Sequence, residues 1–453
     1  MIVMKFGGTS VGIPAHFDLA TRLVAGAVQR DPIVVVSALS GVTNLLVELA
    51  RDPAARPQLS KRVIERHETF AAAAGLSIGS IAELIEEWQF AALEWCADDA
   101  PLRAEQRDQL LAFGERFAAA LFAERLRELG IPARAVHAGE AGLLTDDRFG
   151  AAHPLEGNAS RLQASLGSRP PLPVVTGFIG ATPGGWTTTL GRGGSDYSAA
   201  LIGAALGAEE IQIWTDAPGL MSADPRLVPE ARTVPRLSFT EASELAYFGA
   251  RVLHPKTLLP AMEQGIPVRV LHTARPEDPG SLITPESGAP DSSWRVKSIA
   301  CKKGITAVTV ASTRMLLAHG FLARVFEVFG RHHIVVDLVT TSEVSISVTV
   351  DDASRLAAAL PELEAIGRVE VRSGLAVVAV VGEGAPQKIG LAGHLFTLLG
   401  GVGVGVEMIS QGASRVNLSF VVRDEDADKA VRLLHRGLGL DIEVPAEPAS
   451  LAT

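Results

Sequence analysis

Two glycine clusters, each beside a cation, stand far apart in the chain. Lys5-Phe6-Gly7-Gly8-Thr9-Ser10 follows the apolar run Ile2, Val3, Met4, and Gly191-Arg192-Gly193-Gly194-Ser195-Asp196 lies far downstream. Paired glycines let backbone N–H groups approach an anion with no β-carbon in the way, and a flanking lysine or arginine adds positive charge. One Gly-Gly after a strand reads as a tight turn. Two clusters at strand-to-helix transitions, one of them with a carboxylate, point to phosphate chemistry. A free carboxylate, with an ordinary pKa near 3.9, is already ionised at neutral pH, so as phosphoryl acceptor it needs no general base. The chain correspondingly has no G-x-x-x-x-G-K-[ST] loop and no H-R-D or D-F-G element. What remains is to hold donor phosphates, neutralise charge on the transferring group and fix the acceptor by its own charged groups.

Lys5 is the first candidate for the transferring phosphoryl, because it ends a strand and leads into the Gly7-Gly8 cradle. Asp196, at the predicted start of a helix, reads as an N-cap, a catalytic partner, or both. Arg192 offers the planar fork that carboxylates prefer, and Ser195 adds a hydroxyl and a backbone N–H beside it. Glu115 follows Gly114 in the otherwise apolar stretch Leu110-Leu111-Ala112-Phe113, where an uncompensated charge is costly. A cationic α-amino group would match it; a salt bridge to Arg116 or Arg148 is the alternative. Thr215-Asp216 close the strand Ile211–Trp214, the kind of strand end where open α/β sheets place ligands, and Asp224-Pro225-Arg226 offers a guanidinium to donor phosphates. His254, before Pro255 at a helix start, reads as structural. No metal-ligand cluster is visible.

The elements that must position these groups are legible as patterns. From residue 1 to about 272, runs apolar on both faces (Ile33–Ser37, Val174–Thr176, Ile211–Trp214, Val268–Leu271) alternate with helical spacings over Ala15–Gln29, Arg103–Leu129 and Ser195–Leu206. That is an α/β class with a mainly parallel, covered sheet. Leu59–Asp98 reads as an appended helical pair with Trp88, Phe90 and Trp95 in its core. Ala274–Ser293 has the Pro/Gly-rich composition of a linker, so a boundary is expected there. Beyond it, Leu322–Val350 and Ala392–Phe420 align without a gap at an offset of seventy, matching Phe326 to Phe396, Asp337 to Glu407 and Ser347 to Asn417. Each copy reads strand, helix (Phe321–Gly330 in the first), strand (Ile334–Val339), turn, strand (Ser345–Val350), a small α+β module.

Bulk composition excludes several classes. The 453 residues are too many for one core. A net charge of −10 with 20% charged residues leaves no basic stripe for nucleic acid. Cys96 and Cys301 suggest neither a disulfide framework nor a zinc site, which fits a reducing cytoplasm. Neither a signal segment nor an apolar run long enough to span a membrane is expected.

The ordered set Lys5-Phe6-Gly7-Gly8-Thr9-Ser10-Val11, Ser37-Ala38-Leu39-Ser40-Gly41-Val42-Thr43-Asn44, Gly114-Glu115, Gly177-Phe178-Ile179-Gly180, Thr187 to Asp196, Trp214-Thr215-Asp216 and Phe248-Gly249-Ala250 resembles the aspartate kinases of the amino acid kinase superfamily. The tail with Thr340-Thr341-Ser342-Glu343 is most similar to their lysine-sensitive branch. The resemblance implies an amino acid kinase domain over residues 1–293. Two ACT-type regulatory modules, 294–372 and 373–453, would follow, interleaved and pairing across a homodimer. It implies transfer of the ATP γ-phosphoryl to the β-carboxylate of L-aspartate, the first step toward lysine, threonine and methionine, with Mg²⁺ travelling on the nucleotide.

The same resemblance implies that Lys5 and Asp196 act together on the transferred group, with Ser37, Thr43, Glu115, Arg192 and Ser195 on aspartate. Lys5, Gly7, Gly8, Ser10, Thr215, Asp216, Met221, Arg226 and Arg251 would hold the nucleotide. Met315, Gly320, Phe321, Leu322, Val336, Asp337, Thr341 and Ser342 would contact an amino acid effector, lysine in the first place and threonine behind it. Four positions depart from the family pattern: Met221 for a tyrosine, Arg251 for a lysine, and Ala318 and Val335 for serines. Alternatives left open are a catalytically silent amino-acid sensor and a kinase for another carboxylate acceptor. Glu407, Met408 and Ser410 of the second module read as a further effector site or as an interface only.

Overall fold

The computed structural model describes residues 1–95, 100–167, 170–249, 253–286, 294–312, 319–411 and 415–442. Its ten leading strands are β1 (Ile2–Phe6), β2 (Pro32–Val36), β3 (Ala133–Val136), β4 (Leu172–Thr176), β5 (Ile179–Ala181), β6 (Thr187–Thr189), β7 (Glu210–Thr215), β8 (Arg236–Ser238), β9 (Val268–His272) and β10 (Ser281–Thr284). The accompanying helices are α1 (Gly8–Val11), α2 (Pro14–Gly26), α3 (Val42–Arg51), α4 (Arg56–Ala73), α5 (Ala82–Trp95), α6 (Ala104–Glu128), α7 (Asn158–Leu166), α8 (Gly194–Leu206), α9 (Phe239–Tyr247) and α10 (Pro255–Glu263). The remainder forms β11 (Ser298–Ala311), α11 (Phe321–Arg331), β12 (Val339–Thr341), β13 (Ser345–Val350), α12 (Leu356–Ile366), β14 (Arg368–Val381), α13 (Leu391–Gly401), β15 (Met408–Ser410), β16 (Asn417–Arg423) and α14 (Asp424–Gly437). Two compact units result: Met1–Leu220 with Pro235–Phe239 and Arg251–Glu286, and Met221–Val234 with Thr240–Ala250 and Ser287–Thr453.

In the first unit an eight-stranded sheet runs β3-β4-β2-β1-β7-β9-β10-β8. All neighbours are parallel except the antiparallel β9–β10 pair. β1 and β2 are buried along their whole length, which explains why Ile2–Phe6 and Pro32–Val36 show no polar alternation. Phe6, Phe17, Phe70, Phe117 and Phe122 pack beneath this sheet with α2, α4 and α6. Phe17 lies edge-on to Phe70 at 5.2 Å and to Phe122 at 5.4 Å.

Two sequence expectations are corrected here. The linker composition of 274–293 conceals β10, a strand short enough to fit between Gly280 and Pro285, so the punctuation frames a strand instead of replacing it. In the helical pair, realised as α4 and α5, Trp88 is fully buried against Phe113 and Trp95 packs at the core edge. Phe90 is 69% exposed because it lies on the opposite face of α5.

The second unit holds a six-stranded antiparallel sheet in the order β12-β13-β11-β14-β16-β15. The pairing of the long strands β11 and β14 shifts register between Lys303 and Ala307, and both strands contribute to two cores. Their 306–311 and 368–372 halves pair beside α11 and α12. The 298–303 and 375–381 halves pair beside α13 and α14. The two modules thus exchange strands.

The helices α11 and α13 keep the offset of seventy, but the repeat is not gapless. Asp337 N–H donates to Thr349 O, whereas Glu407 N–H donates to Val421 O, so past the turn the offset is seventy-two. Ser347 therefore corresponds to Ser419 and not to Asn417; the second module carries two extra turn residues. The ladder strand after α11 is also shorter than Ile334–Val339 suggested. Only Val339–Thr341 pair as β12, although Asp337 N–H and Leu338 O already bond to Thr349.

Candidate active site and effector region

β1 carries Lys5 into the middle of the sheet, opposite Val35 of β2 and Ile213 of β7. Its side chain is 9% exposed, and Nζ lies 2.5 Å from Asp196 Oδ1. Gly7 N–H bonds to Trp214 O at 3.1 Å, and a β-carbon at Gly7 would come within 3.4 Å of the ammonium. The glycine keeps the space over the charge open. Gly8, whose β-carbon would press on Ala38 O at 3.1 Å, opens α1. Ser10 is buried, and its hydroxyl donates to Trp214 O and meets Thr273 Oγ1 at 2.7 Å, so it ties α1 to the ends of β7 and β9.

Asp196 sits in the first turn of α8, and the N-cap is Gly193, not Asp196. Gly193 has φ +69° and its missing β-carbon would lie 2.7 Å from His254 Cβ, so only glycine fits the turn. Freed from capping, the Asp196 carboxylate turns to Lys5. Ser195 is buried one residue earlier, with its Oγ 2.8 Å from the position of a Gly177 β-carbon. Arg192 is exposed, with no ion-pair partner among the described residues. His254 caps α10, its Nδ1 accepting from Lys256 N–H, as the structural reading expected.

α6 delivers Glu115 to the same floor. Gly114 lets the helix close on the loop after β2, since a β-carbon there would lie 2.8 Å from Ala38 Cβ. Glu115 Oε1 accepts Ala38 N–H at 3.1 Å, and Oε2 is buried with no hydrogen-bond partner among the described residues. Burial pushes its pKa up to about 8, opposed by the Ala38 and Glu115 backbone N–H groups and by the Lys5 ammonium. The arginines considered as partners are engaged elsewhere, Arg116 with Glu87 at 2.5 Å and Arg148 with Asp146 at 3.4 Å. Neither arginine therefore pairs with the buried Glu115 carboxyl. Ser37 follows β2, half-buried, and Thr43 lies in the first turn of α3 behind Gly41, which has φ +83°. Thr215 ends β7, donating to Asp216 Oδ1 at 3.1 Å, with Asp216 exposed.

Met221 and Arg226 belong to the second unit. Met221 bridges to Thr233, whose hydroxyl approaches its sulfur at 3.7 Å, and Arg226 is exposed and clamped on Asp224. Arg251 and Met315 lie outside the described residues, as does Ala318.

Around the first module, Gly320 (φ +76°) caps α11, Phe321 is buried and Leu322 is 41% exposed. Val336 is half-buried, Thr341 is exposed, and Ser342 Oγ meets Ser345 Oγ at 2.8 Å in the turn. Asp337 accepts the Tyr247 hydroxyl, and Lys302 Nζ lies 3.8 Å from its other oxygen while pairing with Asp351. Burial and the Asp351 carboxyl hold Asp337 above the usual carboxylate range. Sequence reading missed Lys302 and Tyr247. The one available signal was Lys302-Lys303 interrupting an apolar strand; Tyr247, ninety residues from Asp337, gave none. The equivalent Glu407 is paired with Arg372 at 2.5 Å.

The amino acid kinase family model matches residues 1–272, and an ACT domain model matches 308–364 and 378–438. The chain is 38% identical to aspartokinase 1, chloroplastic, of Arabidopsis thaliana over 96% of its own length and 79% of that protein. It is also 38% identical to lysine-sensitive aspartokinase 3 of Escherichia coli, over 97% of this chain and 99% of that one. The structure of E. coli aspartokinase III in complex with aspartate and ADP (R-state) superposes with a TM-score of 0.84 at 36% identity, covering 97% of this chain and all of that one. The chain therefore belongs to the amino acid kinase family and, within it, to the aspartokinases that carry ACT domains.

Proposed function

We propose that this aspartate kinase builds its phosphoryl-transfer site from the two glycine loops, and the observation that carries the assignment is the Lys5–Asp196 contact beside the unpaired Glu115 carboxylate. The reaction is ATP plus L-aspartate to 4-phospho-L-aspartate plus ADP, the first step toward lysine, threonine and methionine. Lys5 neutralises charge gathering on the transferring group and Asp196 aims its ammonium. Glu115 takes the α-amino group of aspartate, while Arg192 and Ser195 take carboxylates, with Ser37 and Thr43 on the same side. Gly7, Gly8, Thr215 and Asp216 border the donor, with Ser10 acting on it through the strand ends it ties. Met221, Arg226 and Arg251 are assigned to the nucleotide by the family resemblance alone.

Among the described residues no group of three or more His, Cys, Asp or Glu could hold a metal ion; Mg²⁺ is assigned to the ATP phosphates, with which it travels. The acceptor needs no base; the protein's part is positioning and electrostatics.

The ACT modules make the enzyme allosteric, and lysine is the effector we assign. Its ammonium would displace Lys302 from Asp337, and Gly320, Phe321, Leu322, Val336, Thr341 and Ser342 are assigned to the same effector, as is Met315 by the resemblance; threonine is the second choice. A homodimer through these modules is supported by the exposed apolar side chains Leu322, Phe326, Val335, Val339 and Val344 of the first module. No helix among the described residues is long and apolar enough to cross a membrane, and a cytoplasmic location is assigned with this function. The test is acyl phosphate formation from Mg-ATP and L-aspartate, trapped with hydroxylamine, with L-glutamate as control. Product from aspartate alone supports the reading. No product from folded, ATP-binding protein would favour the sensor alternative.

A further inference from the structure

Asp108 lies on α6 seven residues before Glu115 and is fully buried. Its Oδ2 accepts three hydrogen bonds: from Thr189 N–H at 2.7 Å, from the Thr189 hydroxyl at 3.0 Å and from Gly150 N–H at 2.8 Å. Oδ1 is buried with no hydrogen-bond partner among the described residues. Burial pushes the Asp108 pKa above the ordinary carboxylate value, opposed by the Gly150 and Thr189 hydrogen bonds and by Arg107; three donors converging on one oxygen favour the ionised carboxylate. Such a group is expensive to bury and needs a reason.

The two segments it holds meet each other as well. Ala152 N–H donates to Thr189 O at 2.9 Å, and Gly191, with φ +77°, backs onto Gly150 O, where a β-carbon would lie 3.3 Å away. Arg107 lies over Gly150, its guanidinium 2.6 Å from the position of a β-carbon there. Arg192 springs from this junction three residues after Thr189. Its side chain is exposed and has no ion-pair partner among the described residues, so the backbone that carries it sets where the guanidinium can reach.

We infer that Asp108 is a positioning residue for the acceptor, clamping the 150–152 and 189–191 segments so that Arg192 meets the acceptor carboxylate. The inference rests on the assignment of Arg192 to the acceptor. Asp108→Asn keeps the shape but weakens the clamp: with the amide oxygen toward Thr189 its NH₂ has no acceptor, and flipped it opposes three donors.

The experiment measures KM for L-aspartate, KM for ATP, kcat and Tm for D108N, Thr189→Val and Arg192→Ala. D108N is expected to raise the aspartate KM about tenfold while the ATP KM stays within about twofold. T189V, which keeps the backbone N–H, is expected to raise the aspartate KM about two- to threefold, and it carries the test if D108N does not fold. An aspartate KM unchanged in D108N, or in T189V should D108N not fold, with only Tm lowered, would make Asp108 merely structural and overturn the inference. If R192A raises the aspartate KM and neither clamp variant does, Asp108's role alone falls; if R192A leaves it unchanged, the Arg192 assignment falls and takes the inference with it.

Discussion

Lys5 Nζ and Asp196 Oδ1 stand 2.5 Å apart where β1 and the first turn of α8 meet, although 191 positions separate them in the chain. The pair fixes an ammonium at the sheet's centre without spending it on a structural salt bridge at the surface. Asp196→Asn retains a hydrogen bond but not the charge that aims Lys5. It should lower kcat by about 10²-fold with a smaller change in the aspartate KM. Steady-state kinetics check this; an unchanged kcat would reduce Asp196 to a favourable charge in the first turn of α8.

Glu115 gives a pH signature. Its pKa in the ligand-free protein is raised to about 8 by burial, so below that pH the carboxyl is protonated and an ammonium must displace a proton to bind. kcat/KM for aspartate is expected to rise with pH and level off above about 8, and Glu115→Gln should raise the aspartate KM and flatten the profile. For stability the sign is opposite. The folded pKa lies above the unfolded one, so the contribution is full below the ordinary carboxylate range and is lost as pH rises through 8. Thermal melts of ligand-free protein should show this fall, at most about 1.4 kcal/mol per pH unit, and E115Q should lack it.

Asp337 is held by Tyr247 and Lys302. Asp337→Asn should leave basal turnover within about twofold and raise the lysine concentration for half-inhibition at least about tenfold. Titration calorimetry with L-lysine separates binding from inhibition, and full-strength binding to the variant would remove Asp337 from the effector site.

The two aromatic positions of α5 differ in burial, and their truncation should differ accordingly. Trp88→Ala removes a fully buried side chain and is expected to destabilise the protein by about 3–5 kcal/mol, whereas Phe90→Ala should stay within about 0.5 kcal/mol. Denaturant midpoints decide it; a large loss at Phe90 would mean that its exposed face is covered in solution.

Much of the catalytic unit could be read from sequence because its strands are buried on both faces and its loops are marked by glycines with steric reasons. Gly193 and Gly114 are examples, each blocking a neighbour if given a β-carbon. What escaped were relationships that no local pattern encodes. β10 was hidden by the prolines and glycines that frame it. The exposure of Phe90 depended on which face of α5 meets Phe113. The interleaving of the modules was expected from the resemblance, but which halves of β11 and β14 serve each core, and the two extra turn residues of the second module, appear only in hydrogen-bond register. Asp108 and the Tyr247–Asp337–Lys302 group are contacts between distant segments, and the sequence marks none of them as a set.

Replacement of Lys5 by alanine tests the central claim most directly, with turnover of Mg-ATP and L-aspartate measured as trapped acyl phosphate beside a thermal melt. The account predicts a kcat lower by at least about 10³-fold with ATP and aspartate still bound and the fold intact. A folded variant that turns over within about tenfold of the parent would contradict it.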